Sequence, residues 1–184
     1  MTFPNPAHRG DTSCDEVVLV DGDDRPIGRL GKLETHQRGL RHRAFSVFVR
    51  DPASRFLLQQ RAMGKYHSGG LWSNTCCGHP RPGEDVDAAA RRRLSEEMGL
   101  VCPLTFLFST HYCASVSDGL VENEVVHVFA GQWDGSPDPN PHEVMAWKWA
   151  TPLAIAEGVK NNPEIFTIWF RKYSRDHGGA LFLM

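Results

Sequence analysis

Residues 77–100 decide the fold of this chain: a loop reads Cys77-Gly78-His79-Pro80-Arg81-Pro82-Gly83-Glu84, and the helix that follows ends in Arg92-Arg93-Leu94-Ser95-Glu96-Glu97-Met98-Gly99-Leu100. Apolar residues recur there at every fourth position and predict one buried helical stripe: Val86, Ala90, Leu94 and Met98. Asp85 and Asp87 fall in the predicted first turn, where negative charge suits the helix dipole. Gly99 suits the position that ends a helix. The stretch therefore predicts a glycine-punctuated loop leading into a long central helix.

The charged residues of this helix lie away from the apolar stripe, with Arg93 and Glu97 one turn apart. On an isolated helix such residues would simply form solvated ion pairs. The preceding loop, which carries Cys77 and His79, favours a binding or catalytic face instead.

Composition sets the broad class of the protein. The chain has 184 residues, of which 41% are hydrophobic and 23% charged, with a net charge of −2. We expect a single domain over residues 15–184 after a disordered segment over residues 1–14. The net charge argues against a nucleic-acid partner, and the absence of a long apolar run argues against a membrane partner or a secretory signal. Five cysteines without CxxC spacing indicate reduced thiols and a cytoplasmic protein.

Residue patterns also predict the order of elements. Alternating or continuous apolar runs predict strands over 16–20, 26–30, 44–50, 55–61, 105–114, 121–130 and 143–149. Residues 31–43 favour a loop or a frayed helix. Two closing helices are predicted over 151–159 and 163–173, the second opened by Pro163. Strands around one central helix, with helices packed outside, predict a mixed α/β sandwich.

A pair of acidic residues stands out in the strand predicted over 121–130. Glu122 and Glu124 are two residues apart and project from the same face, whereas His127 has the opposite parity. Neighbouring carboxylates repel unless a cation or a shared proton lies between them. They could still be solvent-facing acids on an edge strand, but His36, His42 and the Cys77-x-His79 pair favour a cation.

The loop and helix together resemble the Nudix box, G-x5-E-x7-R-E-U-x-E-E-x-G-U, in which U is aliphatic. The matching positions are Gly78, Glu84, Arg92, Leu94, Glu96, Glu97, Gly99 and Leu100. Arg93 departs from the box, which has Glu there. The resemblance implies a Nudix fold of the α/β (α+β) class, with mixed β-sheets sandwiched between helices, and a divalent metal on the helix that grips a diphosphate.

Further segments make the resemblance more specific, because they are similar to the type 1 isopentenyl diphosphate isomerases. They are Lys32-x3-His36, Arg41-His42-Arg43-Ala44-Phe45-Ser46-Val47-Phe48, Arg61-Ala62-Met63-Gly64-Lys65, Trp72-Ser73-Asn74-Thr75-Cys76-Cys77-Gly78-His79-Pro80 and Val121-Glu122-Asn123-Glu124-Val125. The similarity extends from Glu16 to Trp169. Arg93 fits it too, since this isomerase family departs from the hydrolase box at that position.

By position, the resemblance implies the roles of the site residues. A metal site for Mn²⁺, Mg²⁺ or Zn²⁺ would consist of His36, His42, His79, Glu122 and Glu124. Glu97 and the Cys77 carbonyl would hold Mg²⁺ against the substrate diphosphate, which would be gripped by Lys32, Arg61, Lys65 and Arg93. Cys77 and Glu124 would transfer protons on opposite faces of the allyl unit, with the direction undecided, and Tyr112 would hydrogen-bond Glu124 or relay its proton. Trp169 would either face the carbocation or belong to the core.

Three functions compete. The first is interconversion of isopentenyl and dimethylallyl diphosphate for isoprenoid biosynthesis, by a monomer or homodimer whose partner is the small-molecule diphosphate. The second, a Nudix diphosphohydrolase of a nucleoside diphosphate derivative, would require Glu at position 93 and gives Cys77 no role. The third, a catalytically silent binding module, does not need Cys77, Glu97, Glu122 and Glu124 together. The isomerase is favoured.

The remaining cysteines and histidines receive no site role. Cys14, Cys102 and Cys113 are expected as packing or surface thiols, and Cys76 is expected to face away from Cys77. Surface or loop positions are expected for His8, His67, His111, His142 and His177.

Overall fold

The computed structural model describes residues 15–182. In chain order the elements are β1 (Glu16–Val20), β2 (Pro26–Gly31), α1 (Lys32–Arg38), β3 (His42–Arg50), β4 (Phe56–Arg61), β5 (Trp72–Ser73), β6 (Cys76–Gly78), α2 (Val86–Met98), β7 (Leu104–Ser115), β8 (Val121–Gln132), β9 (Val144–Ala150), α3 (Pro152–Asn161), α4 (Ile168–Asp176) and α5 (Gly178–Phe182). The expected disorder of residues 1–14, and the expectations for His8 and Cys14, lie outside the described residues.

Strand β3 is the centre of the sheet network. It pairs in parallel with β8, from His42 opposite Glu124 to Arg50 opposite Gln132, and antiparallel with β6. Strand β8 pairs antiparallel with β7 along its length, while β4 pairs with β5 and β9. The parallel and antiparallel pairs together form the mixed sheet predicted from the sequence.

The side chains of β3 alternate between two hydrophobic cores. Phe45, Val47 and Val49 join the core that α2 covers. Ala44 and Phe48 join a second core, which is formed with the C-terminal helices. A strand that is buried on both faces has a continuous apolar sequence, which is why residues 44–49 lack polar alternation.

Helix α2 closes the first core with the stripe predicted from the sequence. Ala90, Leu94 and Met98 are fully buried there. Burial of a large apolar side chain, such as that of Leu94 or Met98, contributes roughly 1.5–3 kcal/mol to the stability of the fold. Gly99 ends the helix with φ 66°, as predicted. Asp85 lies one position earlier than predicted: it is the N-cap, and its carboxylate accepts hydrogen bonds from the next residues' backbone N–H groups.

Helices α3, α4 and α5 cover the second core. The predicted start of the second closing helix is wrong, because Pro163 opens only the 3-10 turn Pro163–Ile165. The backbone of Thr167 is extended, since its N–H donates to the Trp72 carbonyl, so α4 begins afterwards at Ile168. Helix α5 was not predicted from the sequence.

The remaining predicted elements are close to those observed. Residues 31–43, expected as a loop or frayed helix, contain the ordered helix α1, which ends at Gly39 with φ 61°. The turn at residues 51–54 joins β3 to β4 and lies between the strands predicted over 44–50 and 55–61. Within residues 15–182, no helix combines the length and apolar character needed to cross a bilayer.

Candidate active site

One large cleft collects nearly all of the side chains that the sequence singled out. Its volume is about 1190 Å³. The predicted site residues that line it are Lys32, Arg61, Lys65, Cys77, His79, Arg93, Glu97, Tyr112, Glu122, Glu124 and Trp169. His36 and His42 are fully buried and contact the two glutamates of β8. The structure therefore brings together residues that are spread over more than half of the chain.

Strand register accounts for one edge of the cleft. Glu124 of β8 lies opposite His42 of β3 and opposite Tyr112 of β7. The Tyr112 hydroxyl donates a 2.8 Å hydrogen bond to Glu124 Oε2. Glu122 faces the same way, while His127 contacts the turn between β1 and β2. The period-2 prediction for Glu122, Glu124 and His127 is thereby confirmed.

Backbone carbonyl groups fix the orientation of two buried histidines. Nδ1 of His36 is 2.7 Å from the Lys32 carbonyl oxygen, and Nδ1 of His42 is 2.9 Å from the Leu40 carbonyl oxygen. Carbonyl oxygens only accept, so both Nδ1 atoms carry a proton, and in the neutral form of each ring Nε2 keeps a lone pair. Nε2 of His42 faces Nε2 of His79 at 3.2 Å. Histidine ligands of metals typically have such a second hydrogen bond.

Two carboxylates complete a set of residues that fits a divalent metal. Glu124 Oε1 lies 2.9 Å from His79 Nε2 and 3.5 Å from His42 Nε2. Glu122 Oε2 lies 3.4 Å from His36 Nε2, and among the described residues this buried oxygen has no hydrogen-bond partner. The candidate ligand atoms of all five residues lie within 4.8 Å of one another. Ligands bonded to a metal at about 2.0–2.2 Å are separated by similar distances.

Protonation in this cluster also suits a cation. Burial lowers the pKa of His79 well below its ordinary value, and neighbouring His42 acts in the same direction. Burial alone would raise the pKa of Glu124, but the nearby His42 imidazole and the hydrogen bond from Tyr112 outweigh that effect and lower the pKa to about 2. The cluster thus offers a neutral imidazole and an ionised carboxylate, the forms that bind metals.

Cys77, on β6, lines the same cleft. Its thiol donates to Asn74 Oδ1 at 3.1 Å, and its sulfur is 3.5 Å from Ser46 Oγ. Burial raises the pKa of Cys77 to about 11, although both hydrogen bonds oppose the shift. Cys77 is therefore a neutral thiol near neutral pH. Cys76 faces the other way, into the core under α2, as predicted.

The other end of the cleft is cationic, and two of its cations already have anionic partners. Arg93 contacts Glu97 at 2.5 Å and Glu143 at 3.1 Å, and Lys65 also forms an ion pair with Glu143. Burial works to raise the pKa of Glu97, but Lys65 and Arg93 outweigh it and lower the pKa. Lys32 and Arg61 line the same end of the cleft.

Trp169 combines the two positions that the sequence left open. It belongs to the second core, with 4% of its surface exposed, and it also lines the cleft. Its indole N–H donates to Ser73 Oγ at 2.8 Å. The Arg61 guanidinium carbon is 5.2 Å from the centre of the indole ring.

Among the cleft residues that sequence reasoning left without a role are Tyr66, His67 and Glu143. His67 is on a loop as expected, but a surface position is wrong: it is 4% exposed, and its Nε2 is 2.9 Å from Glu122 Oε1. The Tyr66 hydroxyl is 3.3 Å from His36 Nε2. The sequence did contain a signal for two of these residues. Tyr66 and His67 directly follow Lys65, in a short loop between two segments that were assigned to the site.

Comparisons with known proteins identify the family of this chain. A model of the NUDIX domain matches residues 40–170. The isopentenyl-diphosphate Delta-isomerase of Burkholderia multivorans is 52% identical over 156 residues, which cover 85% of this chain and 89% of the relative. Isopentenyl-diphosphate Delta-isomerase 2 of Aromatoleum aromaticum is 52% identical over 155 residues, 84% of this chain and 82% of the relative.

A solved structure supports the fold independently. The protein DR0079 from Deinococcus radiodurans superposes with a TM-score of 0.74 at 18% identity, covering 88% of this chain and 98% of its own. At that identity the likeness concerns the fold alone. The relatives go further, because they match most of the chain at about half identity. This chain belongs to the isopentenyl-diphosphate Delta-isomerase family, within the Nudix fold.

Proposed function

We propose that this chain interconverts isopentenyl and dimethylallyl diphosphate by adding a proton at one carbon and removing one two carbons away, through a carbocation, and thereby serves isoprenoid biosynthesis. One observation carries the proposal: a neutral thiol and an ionised carboxylate, Cys77 and Glu124, line the same cleft as a candidate metal cluster and a cationic end. A diphosphohydrolase would give Cys77 no role.

The metal cluster would serve the proton-transfer chemistry. We assign His36, His42, His79, Glu122 and Glu124 to one Mn²⁺, Mg²⁺ or Zn²⁺ ion, all of which accept imidazole and carboxylate ligands. A bound divalent ion would make the carboxyl group of Glu124 a stronger acid than a free one.

Cys77 and Glu124 would exchange protons with the substrate carbons. Near neutral pH the substrate-free protein carries the proton on Cys77, since its pKa is about 11, while that of Glu124 is about 2. One of the two groups donates and the other accepts, and they reverse roles with the direction of reaction. Tyr112, which donates to Glu124, would steady that carboxylate or relay its proton. The ring of Trp169 would stabilise the carbocation by about 2 kcal/mol once water is excluded.

The cationic end would bind the diphosphate and leave it intact. The phosphate oxygens would be contacted by Lys32, Arg61, Lys65 and Arg93. Hydrogen bonds between charged groups are stronger than those between neutral groups. Glu97 and the Cys77 carbonyl would hold Mg²⁺ together with the diphosphate. Arg93 stands where the Nudix box has a carboxylate, which a hydrolase could use to activate a metal-bound water. The positive charge of Arg93 therefore favours binding of the diphosphate over its hydrolysis.

We further propose a single domain over residues 15–184, acting in the cytoplasm as a monomer or homodimer without nucleic-acid or membrane partners. The odd number of cysteines and the net charge of −2 support the compartment and the partners.

The test is to incubate the protein with isopentenyl diphosphate and Mg²⁺ in D₂O and to follow the products by NMR while assaying free phosphate. We expect deuterated dimethylallyl diphosphate without phosphate release. Phosphate or monophosphate release without deuterium in the carbon skeleton would instead identify a diphosphohydrolase. No reaction, even with added Mn²⁺ or Zn²⁺, would favour a binding module.

A further inference from the structure

His67 occupies a position in the cleft that none of the proposed roles uses. Its ring is buried, and its Nε2 lies 2.9 Å from Glu122 Oε1. We propose that His67 is a positioning residue that orients Glu122, so that the other carboxylate oxygen faces the imidazoles of the metal cluster. The inference rests on the metal site proposed above and adds a residue from outside its five members.

The two oxygens of Glu122 have different surroundings. Oε1 lies 2.9 Å from His67 Nε2, whereas Oε2 lies 3.4 Å from His36 Nε2 and, in the part of the chain that the structure describes, has no hydrogen-bond partner. A buried carboxylate oxygen without a partner costs free energy unless a cation neutralises it. Holding Oε1 fixes the rotation of the carboxylate, and this rotation aims Oε2 at the cluster.

The imidazole of His67 is itself fixed. An ionised Glu122 can only accept a hydrogen bond, so Nε2 of His67 carries the proton. Nδ1 of His67 then accepts from the Ser68 hydroxyl at 3.2 Å. The ring packs edge-on against Trp169 and Tyr66, with centroids 5.8 Å and 4.3 Å away. The backbone at Ser68 has φ 53°, a left-handed conformation that non-glycine residues adopt only when their surroundings hold them there.

This arrangement makes His67 a support for the cluster rather than a sixth ligand. Among the described residues, the ligand atoms that lie within 4.8 Å of one another belong to the five members of the cluster and include no nitrogen of His67. The same loop carries Lys65, and the Arg61 guanidinium donates to the His67 carbonyl oxygen at 3.2 Å. His67 therefore joins the metal cluster to the end of the cleft that is proposed to bind diphosphate.

The experiment measures metal affinity rather than turnover. The full chain and its variants are titrated with Mn²⁺ and with Zn²⁺ against a competing chelator, without substrate. We expect His67→Ala to lower affinity ~10–100-fold, the usual effect of removing such an outer partner. His67→Gln should recover most of it, because the amide N–H can donate to Glu122 Oε1. His111→Ala, which removes an exposed histidine on β7, is the control and should bind as the wild type does.

Each alternative outcome is distinct. Equal affinity in His67→Ala and wild type would overturn the inference, and so would loss of affinity in His67→Gln as large as that in His67→Ala. X-ray absorption should count the same number of imidazole ligands in wild type and in His67→Gln; one fewer in the variant would make His67 a ligand and overturn its positioning role. A wild type that binds neither ion would defeat the proposed metal site itself. Circular dichroism on both variants separates these results from misfolding.

Discussion

The two ends of the cleft differ in whether their polar groups already have partners within the protein. At the metal end, lone pairs of His36 and His42 and an oxygen of Glu122 converge, and no donor is supplied to that oxygen by any residue between 15 and 182. At the cationic end, Arg93 and Lys65 are already paired with carboxylates of the protein. Glu143 contacts both of them, and Arg93 also contacts Glu97.

This difference predicts how each end responds to its ligand. The metal end is held by strand register and by backbone carbonyls, so it needs only a cation to complete it. If the cationic end binds the diphosphate as proposed, it must exchange a carboxylate such as Glu143 for that ligand, and breaking the ion pairs weakens the net binding. We therefore expect changes beside the metal cluster to have larger effects than changes at the cationic end.

The largest effect is expected from Glu124→Gln, which keeps the shape of the side chain but removes its ability to exchange a proton. Turnover should fall ~10²–10⁴-fold, the usual contribution of a general acid or base. Cys77→Ala should cause a comparable loss. The loss of turnover is measured as the rate of deuterium incorporation, followed by NMR. Circular dichroism should show an intact fold in both variants. Undiminished turnover in either variant would defeat its assignment as a proton-transfer group.

Filling the metal end should stabilise the fold. A ligand at 100 times its dissociation constant adds about 2.7 kcal/mol, which corresponds to a rise in Tm of about 5–10 °C for a chain of this size. Calorimetry with Mn²⁺ or Zn²⁺, compared with chelator alone, measures the shift. His42→Ala should abolish most of it, because the variant lacks one of the convergent imidazoles. Identical Tm values for wild type with and without the ions would contradict the assignment.

Much of the metal end could be predicted because its geometry follows from strand period and register. The spacing of Glu122 and Glu124 fixes their common face, and the box-like loop fixes Cys77 and His79 before α2. The fold follows from the same signals: the four-residue stripe predicts α2, and apolar runs predict the strands.

The contacts of the loop over residues 62–70 could not be predicted in the same way. Its residues have no period, and their positions depend on tertiary contacts such as the hydrogen bond from the Ala62 N–H to the Glu143 carbonyl. His67 and Glu143 therefore entered the site only with the structure. The start of α4 was missed for a similar reason, because the pairing of Thr167 with Trp72 overrides the helix signal of Pro163.

At the cationic end, Arg93→Gln should mainly raise KM. Hydrogen bonds to a charged group contribute about 1.5–3 kcal/mol, so we expect an increase on the order of 10–100-fold, with kcat changed less. Arg91→Gln is a matched control on the same helix, since Arg91 is exposed and pairs with Asp87 outside the cleft. Steady-state kinetics with isopentenyl diphosphate measures both variants. A KM for Arg93→Gln equal to that of the control would remove Arg93 from the diphosphate site.

The smallest effect concerns the charge of Lys65. Burial lowers its pKa to about 8, although the field of Glu97 opposes the change. Lys65 is therefore charged below this pH and loses its proton as the pH rises, so kcat/KM should fall up to about tenfold between pH 7 and pH 9. Lys65→Arg keeps its charge and should remove this alkaline limb. A wild-type profile that stays flat would mean that Glu97 and Glu143 hold Lys65 charged throughout, and the cationic end would then be as preorganised for its ligand as the metal end.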